Sequence, residues 1–145
     1  MKSEQKVITI FTIVPLIVGM IIYLFFRKDN ILIFDLLNFN ASKNLFFELP
    51  RLINSYLTDF LWIFSFTSLM LYIWRKNLNL NNFIWIVLPL IFAIIFEFLQ
   101  KQGIVNGTYD KFDILTYILG NFIAIIINLK FNKCLTIKFL QNDKN

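Results

Sequence analysis

The chain has 145 residues, 58% of them hydrophobic and only 16% charged, with 18 Phe. A soluble domain of this size must cover its exterior with polar residues, so this composition excludes one and makes lipid the natural solvent. The formal charge of +5 fits Lys and Arg on cytoplasmic flanks. No basic patch interleaved with aromatics stands in a soluble segment, so nucleic acid is not an expected partner. There is no His, which removes the commonest general base and zinc ligand, and the single Cys134 rules out an internal disulfide or a thiolate metal cluster. Neither metal nor cofactor is expected.

In chain order, the first apolar run is Val7 to Phe26, twenty residues without a charge, the length that spans about 30 Å of hydrocarbon. Lys2 and Lys6 give it a basic start, but the run is long for a signal core and no small-x-small cleavage site follows. It reads as a retained span, kinked or loosened near Pro15 and Gly19. Ile31 to Leu52 mixes apolar residues with Asp35, Asn38, Asn40, Lys43 and Glu48, and reads as an interfacial or partly re-entrant segment ending near Pro50. The second span is expected over about 57–74, with Trp62 and Trp74 at interface level and Arg75 and Lys76 stopping it. A polar turn leads into the third span, about 83–99, with Pro89 inside and Glu97 near its end. A loop with Gly103 and Gly107 precedes the fourth span, about 112–129, and a basic tail occupies 130–145. The expected fold is all-α: one polytopic membrane domain over 1–145, with about four transmembrane helices and the interfacial segment between the first two.

With the N-terminus inside, eight Lys/Arg (2, 6, 75, 76, 130, 133, 138 and 144) fall inside and six (27, 28, 43, 51, 101 and 111) outside. The positive-inside bias then puts both termini in the cytoplasm. The uncharged parts of the second and third spans, Phe60 to Trp74 and Phe83 to Phe96, are each roughly 21–22 Å long at 1.5 Å per residue. A span needs about 20 residues, so Asp59 and Glu97 are drawn towards the membrane. In a four-span topology Asp59, Glu97, Asp110 and Asp113 share one face, the outer one, where ionisable groups turn towards the bundle interior or a wet cavity.

Asp113, Tyr117, Gly120 and Ala124 recur at i, i+4, i+7 and i+11, on one side of the fourth helix, with Asn121 and Asn128 flanking. Gly120-x-x-x-Ala124 is a small-xxx-small pair suited to close helix packing. On the third helix Glu97 shares a side with Ala93 and Gln100. Ser65, Ser68 and Tyr72 are suited to interhelical hydrogen bonds. Asp59 and Asp113 near helix N-termini also have a purely structural reading, as caps and dipole partners. Glu97 sits near a helix C-terminus, where a carboxylate opposes the dipole, so its alternatives are a site role or an ion pair with Lys101, Arg51 or Lys111.

The pattern Glu97-x-x-Gln100, Gly107-Thr108-x-Asp110, Asp113 and Gly120 resembles the VanZ-like family of small helical membrane proteins. The family's loop often carries an arginine, where this chain offers Lys101 and Lys111, and Tyr117 replaces a common asparagine before the glycine, while Asn121 follows it. The resemblance implies a protein of the bacterial cell envelope, in the cytoplasmic membrane; the family's namesake is linked to resistance to teicoplanin. It implies no reaction, and no nucleophile–base arrangement is visible, so an enzyme is not expected. The leading expectation is an acidic outer-face site for a polar or cationic ligand, built from Glu97, Gln100, Asp110, Asp113, Asp59 and Tyr117. The alternatives are an accessory subunit of a larger membrane complex, or a homo-oligomer, packed through Gly120 and Ala124, and an ion- or proton-coupled transport element.

Overall fold

The computed structural model describes residues 2–26, 50, 52–75, 82–105 and 107–131. Every regular element among them is helical: α1 (Lys2–Phe26), a π-helical turn (Leu52–Leu57) running straight into α2 (Thr58–Trp74), α3 (Phe83–Lys101) and α4 (Lys111–Phe131). Three helical stretches, Ser55–Trp74, Phe83–Lys101 and Lys111–Phe131, are long and apolar enough to cross a bilayer. In α1 the apolar stretch is shorter, Thr9–Tyr23. The expected interfacial segment over 31–52 lies outside the described residues except for Pro50 and Leu52, as does the tail beyond Phe131.

Lateral contacts give the helix directions. Ser65 of α2 donates to the Thr12 carbonyl of α1, while Gly19 of α1 lies against Leu61 and Trp62; residue numbers rise on one helix as they fall on the other, so the pair is antiparallel. Tyr56 reaches Asp110, Thr67 meets Asn121 and Ser68 meets Asn128, so the α2 stretch and α4 run in parallel. Leu71 packs on Ile86 near the other end, with Phe83 and Leu129 around them, which sets α3 antiparallel to both. The start of α2, the end of α3 and the start of α4 therefore meet at one end of the bundle.

α2 is the hub, packed against each of the other three helices. Its buried surface is unusually polar: Thr58, Ser65, Thr67 and Ser68 join Ile63, Phe64 and Leu71. Lipid tails are as apolar as leucine, so helices in a bilayer gain little from burying more leucine between them and associate instead through close packing and hydrogen bonds. Here Asn121 Nδ2 donates to Thr67 Oγ1 at 2.8 Å and to the Ile86 carbonyl at 3.4 Å. Asn128 Nδ2 donates to Ser68 Oγ at 2.9 Å and to its own helix at Ala124 O, 2.8 Å. The apolar side chains turn outward instead, among them Ile17, Phe92, Phe122 and Ile126.

α1 is one helical element with Pro15 inside it, and Gly19 lies at a close contact, since a Cβ there would be 2.9 Å from Trp62 Cδ1. One local expectation changes. Asp59 is not at a free helix N-terminus, because helical backbone begins seven residues earlier at Leu52, and so the capping account of Asp59 fails. Trp74 stacks on Trp85 at 5.8 Å across the α2–α3 connection, and Arg75 lies 4.0 Å above the Tyr72 ring.

Candidate functional site

The sequence shapes the carboxylate end through two turns. α3 closes on Gly103, whose φ of 72° only glycine adopts without strain. Gly103 N–H donates to Gln100 O at 3.0 Å and Ile104 N–H to Leu99 O at 3.0 Å, the paired bonds of a Schellman cap. α4 opens on Asp110: its Oδ1 accepts from Phe112 N–H at 2.9 Å, and its main-chain carbonyl from Asp113 N–H at 3.2 Å. Asp110 is therefore the N-cap of α4, and Asp113 lies inside its first turn. The other Asp110 oxygen accepts from the Tyr56 hydroxyl at 3.0 Å, tying the loop to the π-helical turn before α2.

Glu97 projects from the last turns of α3 into the space between these elements and is 3% exposed. Two donors reach its carboxylate: the Tyr117 hydroxyl at 3.4 Å and the Asp110 backbone N–H at 3.5 Å. Both are longer than the 2.7–2.9 Å, roughly, of a charge-assisted N–H bond. A carboxylate offers about four lone-pair sites, and among the described residues these two donors are the ones that reach it. Lys101, weighed from the sequence as an ion-pair partner, instead lies 5.2 Å above the Tyr109 ring.

Tyr117 is the centre of the group. Its hydroxyl donates to Glu97 and is within electrostatic reach of Asp59 and Asp113, carboxylates of the two other helices at this end. Gln100 has a different job: its amide sits over Gly107, where an added Cβ would come within 2.6 Å of Gln100 Cδ. Among the described residues, no three acidic, Cys or His side chains are grouped closely enough to hold a metal ion. Gly120 and Ala124 are buried, and a Cβ on Gly120 would lie 3.0 Å from Phe60 O, so the small pair packs against α2.

Sequence reasoning passed over two features. Tyr56 stands three residues before Asp59, on the same side of the helical stretch, and was hidden because the second span seemed to begin after it. The second feature is a cleft of about 520 Å³ between α2 and α3 that runs from Asp59 and Tyr117 down past Trp62, Phe66 and Ala93. Its signal was the pair Pro89 and Ala93 four residues apart, a stretch of α3 with little bulk. Comparison of the chain with protein-family models, with curated proteins and with solved structures returns no match, so the VanZ-like resemblance rests on the residues from Glu97 to Gly120 alone.

Proposed function

We propose that this is a VanZ-like protein of the bacterial cytoplasmic membrane that crosses four times with both termini inside, and that its outer-face carboxylates bind a polar, cationic group. The observation that carries the reading is Glu97: a carboxylate 3% exposed, met among the described residues by two long contacts, with Asp59 and Asp113 within electrostatic reach of the same tyrosine. Burying a carboxylate is costly unless it is paired and hydrogen-bonded, and the described residues supply Glu97 with little of either. A cation with hydrogen-bond donors completes the arrangement: it accepts from none of these groups and is attracted by all of them. Asp110 belongs to the scaffold of the site, since both of its oxygens are engaged in holding the loop.

The test is calorimetric titration of the purified protein, in discs of zwitterionic lipid, with n-butylammonium chloride. Wild-type protein should bind saturably. Glu97→Gln and Asp113→Asn, checked for unchanged helicity and monodispersity, should weaken binding by at least about tenfold, as expected when one side of a partly desolvated charge pair is neutralised. Absent saturation in wild type, or equal affinity in Glu97→Gln, would refute the assignment.

A further inference from the structure

The two donors that meet Glu97, Asp110 N–H and the Tyr117 hydroxyl, both ride on the beginning of α4. Where α4 begins relative to α3 therefore decides how the carboxylate is held. The turns between the two helices are tied locally: Gly103 and Ile104 amides close α3, Gln100 lies over Gly107, and Asp110 caps α4. None of these ties reaches α2.

Tyr56 does reach across. Its hydroxyl donates to Asp110 Oδ2 at 3.0 Å, joining residues 54 positions apart, and its ring lies 6.2 Å from that of Phe112. The acceptor is a carboxylate, and hydrogen bonds to an ionised group are roughly twice as strong as neutral ones. With Oδ1 taken by Phe112 N–H, Asp110 is gripped at both oxygens, one from its own helix and one from the π-helical turn before α2. Gripping the side chain in this way also aims the N–H of the same residue, which is the one that meets Glu97 Oε2 at 3.5 Å. A relay of two hydrogen bonds thus runs from Tyr56 through Asp110 to Glu97.

We infer that Tyr56 is a positioning residue for Glu97, holding the start of α4 so that the Asp110 N–H meets the buried carboxylate. The positioning rests on these contacts alone; its use in binding rests on the cation site proposed above. A carboxylate already held in place needs less ordering when a ligand arrives, so losing the Tyr56 hydroxyl should cost affinity.

The sequence makes Asp110 observable by itself, because a tyrosine followed by an aspartate occurs once, at Tyr109–Asp110. Protein made with carbonyl-labelled tyrosine and nitrogen-labelled aspartate, in the same discs, shows that single amide in a carbonyl-filtered NMR spectrum. Glu97→Gln should move the Asp110 amide proton upfield, since its charged acceptor is gone. Tyr56→Phe, which keeps the ring and loses the hydroxyl, should move it the same way. Asn128→Ala removes the contact of α4 with Ser68 away from this end, and should leave the resonance in place. Tyr56→Phe should also bind n-butylammonium about threefold more weakly, the share of one modest hydrogen bond. An Asp110 amide unmoved in Tyr56→Phe, or moved as far by Asn128→Ala, overturns the inference whether or not the amine binds. Unchanged or tighter amine binding by Tyr56→Phe overturns its part in binding. A shifted amide in a protein that never saturates with butylammonium leaves Tyr56 as the residue that positions Glu97 and removes the cation reading.

Discussion

Gly120 sets how closely α4 approaches α2, and the cost of filling that space follows from its neighbours. A Cβ there would lie 3.0 Å from the Phe60 carbonyl oxygen and 3.4 Å from Ile63 Cγ2 and Phe60 Cδ2. The nearest of these is backbone, which has no rotamer to change, so alanine requires the helices to part by a few tenths of an ångström. Overpacking of this kind costs about 1–3 kcal/mol, while alanine regains about 1 kcal/mol of helix propensity over glycine. Gly120→Ala should therefore destabilise the bundle by about 0–2 kcal/mol. Leucine extends further in the same direction, and the displacement also carries Asn121 away from Thr67, a contact of the kind worth about 0.6–1.7 kcal/mol in a membrane. For Gly120→Leu we expect a loss of about 3 kcal/mol or more. Equilibrium unfolding in mixed micelles of rising dodecyl sulfate fraction, followed by far-UV circular dichroism, reads both changes. A leucine variant with the wild-type midpoint would refute the close-packing argument.

Three further outcomes follow from the same geometry. A double-mutant cycle of Asn121→Ala and Thr67→Ala, read by the same unfolding assay, should show a coupling of about 0.6–1.7 kcal/mol, and additive single effects would mean that the 2.8 Å contact does not join the helices. Gly107→Ala should cost about 1–3 kcal/mol because its φ of 155° is strained for any side chain; an unchanged midpoint would show that the loop relaxes without penalty. Glu97→Gln should leave stability unchanged or raise it, since contacts of 3.4 and 3.5 Å contribute little and a buried charge is removed, and a loss of several kcal/mol would mark Glu97 as a structural residue.

Hydropathy and charge were enough to read the helices, because lipid imposes one simple demand on every spanning segment. Phe83–Lys101 and Lys111–Phe131 lie close to the expected spans, and the second span differs only where helical backbone starts earlier, at Leu52. Asn54, Ser55 and Tyr56 look like a boundary in the sequence, yet a π-helical turn carries the chain through them. The roles of individual polar residues were less legible. Asp59, Asp110 and Asp113 are alike on paper, and only tertiary contacts show that Asp110 caps α4 while Asp59 lies inside a helical stretch. Asn121 and Asn128 looked like flanks of the Gly120–Ala124 stripe, but they lie fully within the interface because Thr67 and Ser68 stand opposite. A one-dimensional pattern gives the direction of a side chain from its own helix. It does not give the residue that meets it.

The same distinction separates scaffold from site within this bundle. A polar group at membrane depth must find a partner, and at mid-bundle the chain supplies it: Asn121 and Asn128 donate at 2.8 and 2.9 Å to hydroxyls of α2. One turn from Asn121 along α4, Tyr117 makes a longer contact of 3.4 Å to Glu97, with Asp59 and Asp113 within electrostatic reach of its hydroxyl. At mid-bundle the chain thus meets its own polar groups at short distance, whereas Glu97 is met by two longer contacts among the described residues. No carboxylate can neutralise another, and Lys101, the nearest basic residue in sequence to Glu97, is turned over Tyr109. Rigid packing at Gly120 and Ala124 keeps α4 from moving to relieve this arrangement, since closer approach is blocked at Phe60 O. A charge held in place by a well-satisfied scaffold, and met itself by long contacts, is what the proposed cation site at Glu97 rests on.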